Sequence, residues 1–191
     1  MSGSESVTFT GVDDSEQPHC IAFLLLNDFT MISLASAIEP LRMANQLSGK
    51  QLYNWYSVSA DGESVSASDG LKIIPDRSIC DDLAVDTVIV AGGVNVAESY
   101  SYVELDWLRQ KASEGCCLGG ICTGSYALAE AGLLSGFDCS THWEYLSYLQ
   151  KNFPDVNCSK RLFTLDRSRI TSSGGTAPLD MMLNLIKREH G

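Results

Sequence analysis

The sequence predicts an α/β fold, a three-layer αβα sandwich with a mostly parallel, flavodoxin-like sheet. Three observations lead to this prediction. Short continuous apolar runs, such as residues 20–26 and 86–91, are typical of strands that are covered on both faces of a parallel sheet. Between these runs lie segments whose apolar residues recur every three or four positions, as on one face of a helix. The length of 191 residues, with 45% hydrophobic residues, is enough for a single buried core.

The first half of the chain contains a long helix between two strands. Apolar side chains recur at helical spacing after the first strand, at Met31, Leu34, Ala35, Ile38, Leu41 and Ala44. Pro40 lies inside this segment and predicts a kink or a restart of the helix. A second strand is predicted at residues 53–60 and a hairpin at residues 64–74.

The second half repeats the alternation. Helices are predicted at residues 102–113 and 124–133, with a strand at residues 116–121 between them. Residues 162–166 and 169–172 form a predicted hairpin. The last helix is predicted to bury one apolar face, made of Leu179, Met182, Leu183 and Ile186.

Composition and charge exclude several classes of protein. The net charge is −11, which repels phosphate backbones, so we do not expect this chain alone to bind DNA. No apolar run reaches the roughly 18 residues of a membrane span. The start of the chain also lacks the basic and apolar segments of an export signal, so we expect a cytoplasmic protein with no membrane partner. Residues 1–19 form a predicted flexible polar tail, and residues 20–191 form one domain.

The cysteines are predicted to be reduced thiols. Seven is an odd number, and no CxxC pair occurs, so neither a disulfide framework nor a four-thiolate zinc site fits. We therefore expect no bound metal and no other cofactor.

The strongest chemical motif is residues 120–124, Gly-Ile-Cys-Thr-Gly, a nucleophile elbow between an apolar strand and a helix. At the helix start, free N–H groups and the helix dipole are expected to lower the pKa of the Cys122 thiol. The backbone N–H of Thr123, together with Gly93 after the neighbouring strand, could hold an oxyanion or a carboxylate. The alternative for Cys122 is a small buried residue of the core.

His142 is the candidate partner of Cys122, because it is the histidine inside the folded body, whereas the other two lie near the chain ends. Glu144 could complete a triad, but it also fits a capping box with Thr141, which we favour. Trp143 and the tyrosines of the same segment are expected to be packing residues, unless one faces a cationic ligand. The full predicted ligand site is Asn27, Gly93, Asn95, Cys122, Thr123, His142 and Trp143.

Five segments carry a resemblance to a known family: residues 37–45, 91–95, 119–129, 141–144 and 174–182. They resemble the PfpI-like branch of the class I glutamine amidotransferase-like superfamily, and in particular the N-terminal sensor domain of bacterial AraC-family transcriptional regulators. The resemblance implies a small-molecule effector, a homodimer, and a C-terminal helix-turn-helix DNA-binding domain that this chain lacks. It also implies that the effector is related to carnitine, betaine or an amino acid such as arginine.

Enzymes of this superfamily place a glutamate beside the cysteine, at a position that falls near Ser33 in this sequence. The resemblance therefore favours a ligand sensor that binds a small polar metabolite near Cys122. The alternative is a cysteine-dependent hydrolase or hydratase with Cys122 and His142 as catalytic residues. A redox sensor at Cys122 is a third hypothesis, compatible with the first.

Overall fold

A computed structural model describes residues 17–191, so the predicted flexible tail lies almost wholly outside the described residues. The strands in chain order are β1 (His19–Leu25), β2 (Tyr53–Ser59), β3 (Val65–Ser66), β4 (Lys72–Ile73), β5 (Arg77–Ser78), β6 (Thr87–Ala91), β7 (Cys117–Ile121), β8 (Asp138–Ser140), β9 (Asn157–Ser159), β10 (Phe163–Asp166) and β11 (Arg169–Ser172). The helices are α1 (Met31–Ser48), α2 (Tyr102–Ser113), α3 (Gly124–Glu130), α4 (Trp143–Asn152) and α5 (Ala177–His190), with a 3₁₀ helix at Val96–Glu98.

Seven strands form the central sheet, in the order β10-β11-β7-β6-β1-β2-β5. All neighbours are parallel except β10 and β11, which form the predicted hairpin. From β1 the chain moves outward to β2, and after β6 it moves outward in the opposite direction to β7. The neighbours β1 and β6 thus mark a switch point, and ligands of open α/β sheets bind at the carboxyl ends of strands beside such a point.

Both faces of the sheet are buried, which confirms the three-layer prediction. From Ile21 to Leu25 on β1 the side chains alternate between two apolar cores, and all five are buried. One core contains side chains of α2, α3 and α4, and the other contains side chains of α1 and α5. A continuous apolar run is therefore the pattern that this central strand requires.

Several elements differ from their predicted form. α1 is one helix that runs through Pro40, so the predicted restart does not occur; it ends at Ser48, and Gly49, with a φ of 68°, is its C-cap. α3 ends at Glu130, three residues before its predicted end at residue 133. No helix among residues 17–191 is long and apolar enough to cross a membrane.

The buried face of α5 is rotated from its predicted position. Met182 is buried as expected, but Leu179 and Leu183 are 39% and 49% exposed. Met181 and Leu185 fill the core in their place. α5 packs against both α1 and the sheet, so its apolar stripe is wider than one row of residues three and four apart.

Candidate functional site

Cys122 lies in the sharp turn between β7 and α3. Its φ of 59° belongs to the left-handed region that residues with a side chain rarely adopt. A Cβ at Gly124 would overlap the carbonyl oxygen of Val90 on β6, so a glycine is needed for α3 to start this close to the sheet. The turn therefore has the geometry that the Gly-x-Cys-x-Gly motif predicts.

The Cys122 thiol is buried, with 5% of the residue exposed. Its sulfur lies 3.4 Å from the hydroxyl oxygen of Thr30. Burial raises the pKa of the thiol, and hydrogen bonds from the Thr30 hydroxyl and the Thr123 backbone N–H lower it by less. The prediction of a lowered thiol pKa is therefore wrong, because the loss of solvation outweighs the N–H groups at the start of α3.

Alkylation of Cys122 is expected to be slow at neutral pH. Because its pKa lies above the usual value, the thiolate fraction and the rate should climb about tenfold per pH unit up to at least about pH 8. Thr30→Val removes a hydrogen bond to the thiolate and should slow the reaction further. Thr30→Ser should preserve this hydrogen bond and therefore the rate. Iodoacetamide labelling with peptide mass spectrometry measures the rate at Cys122 alone. A plateau below pH 7 would contradict the raised pKa.

Thr30 and Ser33 lie beside the elbow at the start of α1. Ser33, expected near the glutamate position of the enzymes, is fully buried and donates a hydrogen bond to the carbonyl of Gly175 at 3.2 Å. Thr30, which contacts the sulfur, is not among the residues that the sequence predicts. Its place just before an apolar helix is the available signal. Among residues 17–191, no carboxylate forms a hydrogen bond with the Cys122 sulfur.

The predicted ligand residues that follow β1 and β6 in the sequence do not all lie beside the elbow. The Thr123 hydroxyl donates to the carbonyl of Gly93 at 2.8 Å, which ties the elbow to the loop after β6. Asn95 is exposed at the start of the 3₁₀ helix. Asn27 lines a separate depression of about 150 Å³ that is also lined by three acidic residues. The structure therefore groups Gly93 and Thr123 with Cys122, but not Asn27 or Asn95.

His142 is joined to Cys122 through the backbone. Its N–H donates to the carbonyl of Cys122 at 3.1 Å. The imidazole forms no hydrogen bond with the Cys122 sulfur in the described part of the chain. Its Nδ1 atom is buried and has no hydrogen-bond partner among these residues, since the nearest carboxylate oxygen, of Glu144, is 3.6 Å away. A buried nitrogen without a partner is costly, and such atoms are rare in folded proteins.

The start of α4 differs from the predicted capping box. His142, not Thr141, is the N-cap, and it makes no side-chain cap hydrogen bond. The hydroxyl of Thr141 is buried without a partner among the described residues. Glu144 keeps 57% of its side chain exposed. The prediction of a Thr141–Glu144 box is therefore wrong, because the chain enters the helix one residue later.

The aromatic side chains of α4 have two roles. Tyr145 and Tyr148 pack around Tyr126, with ring centroids 5.7 and 5.3 Å from it, as predicted. Trp143 is 73% exposed, and its ring centroid lies 5.5 Å from that of His142. The expectation of packing therefore fails for Trp143, which leaves its ring free to contact a ligand.

A cavity of about 770 Å³ opens beside α4, within the size range of small-molecule sites. Its walls come from the start of α4, the segment after β9 and the segment between β11 and α5. The lining residues are Thr141, His142, Trp143, Leu146, Ser147, Lys160, Arg161, Leu162, Ser173, Gly174 and Gly175.

Gly174 connects this cavity to the thiol. It lines the cavity, and a Cβ at this position would lie 3.0 Å from the Cys122 sulfur. Its φ of 103° is also a conformation that favours glycine. Cys122 is not among the lining residues, so the thiol lies behind the wall of the cavity and not in it.

Two cationic side chains, Lys160 and Arg161, give the cavity a local charge opposite to that of the whole chain. Arg161 lies 3.8 Å from Asp138, and Lys160 has no ion pair within residues 17–191. Neither was predicted, although two adjacent basic residues in an acidic sequence are a usable signal. The cavity is thus lined by an imidazole whose Nδ1 atom is buried without a partner among the described residues, by an exposed indole and by two cations.

The sequence and the structure of the chain were compared with those of known proteins. Residues 19–188 match the DJ-1/PfpI family. The HTH-type transcriptional regulators GbdR and CdhR of Pseudomonas aeruginosa are 58% and 41% identical to the chain, over 93% and 88% of its length. The chain spans about half the length of each regulator, 48% and 50%. In structure it is similar to an AraC family transcriptional regulator from Pseudomonas putida, with a TM-score of 0.83, 31% identity, and coverage of 91% of this chain and 94% of that one. The chain therefore belongs to the DJ-1/PfpI family.

Proposed function

We propose that this chain is the effector-sensing domain of an AraC-family transcriptional regulator, and that the cavity beside α4 binds the effector. Its similarity to GbdR and CdhR supports the role as a regulator. The main observation behind this site is the Nδ1 atom of His142, a residue that lines the cavity. This atom is buried and has no hydrogen-bond partner among the described residues. Buried polar atoms without partners are rare unless a ligand or water completes them.

The chemistry of the walls supports a small zwitterionic effector. Lys160 and Arg161 can bind a carboxylate, and the exposed ring of Trp143 can contact a cationic ammonium group. Carnitine, glycine betaine and arginine each carry both groups. The effector would then contact Gly174 and the loop that covers Cys122, so its binding can be transmitted to the elbow without any reaction of the thiol.

The DNA-binding region of the regulator is proposed to lie outside this chain, which agrees with the net charge of −11. We also propose that the domain forms a homodimer, since paired subunits suit paired DNA half-sites. Exposed apolar side chains on the adjacent helices α1 and α5, Ile32, Leu179 and Leu183, offer a surface for this contact.

The enzymatic alternative has less support from the geometry. A hydrolase or hydratase would need a thiolate at Cys122 and a base in contact with it. Burial raises the pKa of Cys122, and its hydrogen-bond partner is the hydroxyl of Thr30, not the imidazole of His142.

Thermal unfolding with carnitine, glycine betaine and arginine tests the sensor proposal. A compound that binds the folded chain at 100 times its Kd should raise Tm by roughly 5–10 °C. Trp143→Ala should weaken binding by about tenfold, because it removes the aromatic contact with the cation. Lys160→Ala should also weaken it, by removing a partner of the carboxylate.

Lys72→Ala is the matched control, since Lys72 is exposed on β4 and does not line the cavity. It should leave the Tm shift unchanged. An equal loss of affinity in Lys72→Ala and Lys160→Ala would place the effector elsewhere. If none of the three compounds shifts Tm, the zwitterion assignment is wrong.

A further inference from the structure

Cys139 and Cys158 face each other across a two-stranded parallel sheet. They are direct partners in the register of β8 and β9. Partners in adjacent parallel strands project from the same face, and such strands lie about 4.8 Å apart. This spacing falls within the Cα separation of disulfides, about 4.4–6.8 Å. Both residues are free thiols in this structure.

We propose that Cys139 and Cys158 form a reversible disulfide within the chain when a peroxide is present. This modification site is distinct from Cys122, and it does not depend on the proposed effector or on regulator function. Other cysteines lack this arrangement: Cys116 and Cys117 are consecutive on one chain segment, and Cys80 is exposed on a different edge of the fold.

The two thiols differ in a way that assigns their roles. Cys139 is fully buried, whereas Cys158 is partly exposed and can meet an oxidant. The Cys139 thiol can donate its proton to the Cys158 sulfur or to the Ser140 carbonyl, which is 3.4 Å away. The bond to Cys158 lowers the pKa of Cys158 and, together with burial, raises that of Cys139. Cys158 is therefore the thiol that ionises and attacks first.

The reaction balances with hydrogen peroxide as the oxidant. The Cys158 thiolate attacks one peroxide oxygen, the O–O bond breaks, and the leaving hydroxide takes up the proton that Cys158 released, which gives sulfenic acid and water. The Cys139 sulfur then attacks the sulfenic sulfur. The S–O bond breaks, and the departing hydroxide leaves as water with the Cys139 proton. Two thiols and one peroxide thus yield one disulfide and two waters.

Both strands lead directly into walls of the large cavity. β8 ends at Ser140, immediately before Thr141 and His142, and β9 ends at Ser159, immediately before Lys160 and Arg161. A bond between the strands would fix the imidazole and the cations of the cavity relative to each other. If the cavity binds an effector, as proposed above, the disulfide would alter its affinity.

Peroxide treatment of the chain followed by non-reducing peptide mass spectrometry tests the disulfide. Two of the seven thiols should be lost in maleimide titration of the denatured chain, and the peptides of Cys139 and Cys158 should be recovered linked. Dithiothreitol should restore both thiols. Because no effector is used, failure of this test is distinguishable from failure of the sensor proposal.

Two serine variants complete the design. Cys158→Ser, at a partly exposed position, should abolish the linked peptides while Tm in reductant stays near that of the parent chain. Cys80→Ser, at an exposed position, should leave the linked peptides unchanged. Recovery of Cys158 as sulfinic acid with Cys139 still reduced would overturn the proposal, as would loss of the crosslink in Cys80→Ser.

Discussion

Gly124→Ala is expected to destabilise the chain by about 3 kcal/mol, which is typical of overpacking at a site that cannot relax. The new Cβ would overlap the carbonyl oxygen of Val90, so either the start of α3 or strand β6 must move. Both elements belong to the site, because β6 leads to Gly93 and α3 follows Cys122. Urea unfolding followed by circular dichroism measures the change in the free energy of unfolding.

Gly132→Ala provides the matched control, just after the same helix. A Cβ at Gly132 would meet nothing within 4 Å, although the φ of 76° disfavours a side chain there. The expected loss is therefore only about 1 kcal/mol, the strain of one residue in the left-handed region. Equal losses in the two variants would show that backbone strain, and not the close approach of α3 to β6, decides stability at the elbow.

Phe29→Ala is expected to cost about 3–5 kcal/mol, the usual range for a fully buried phenylalanine. Phe29 is 0% exposed and packs in the core that α1 and α5 cover. Its backbone also donates to the carbonyl of Leu26 at 3.1 Å and accepts from the N–H of Ser68 at 2.9 Å. The residue therefore holds the segment that places Thr30 beside the Cys122 sulfur.

Leu47→Ala is the control for this substitution, since Leu47 is 78% exposed near the end of α1. Its effect should stay within about 0.5 kcal/mol. Urea unfolding of both variants at one pH measures the difference. A loss of less than about 1 kcal/mol in Phe29→Ala would mean that the core collapses into the space left by the ring.

Much of the fold was predictable because its signals are local. The apolar run of β1 reflects burial on two faces, and the glycines around Cys122 reflect a turn that side chains would block. The face of α5 was not predictable in the same way. Its exposed Leu179 and Leu183 are as apolar as the buried Met181 and Leu185, and only its packing against α1 and the sheet distinguishes them.

For the site, the sequence alone determined that Cys122 is presented in a tight strand-to-helix turn, since residue type and glycine spacing dictate that backbone. The tertiary structure decided the thiol's environment. Thr30, 92 positions earlier in the sequence, lies against the sulfur, and Gly174, from a later segment, also lies close to it. Burial by such distant segments raises the pKa of the thiol. The tertiary structure also places Asn27 and His142 in different depressions of the surface. Solvation and cavity shape depend on contacts between segments far apart in sequence, which motif spacing does not encode.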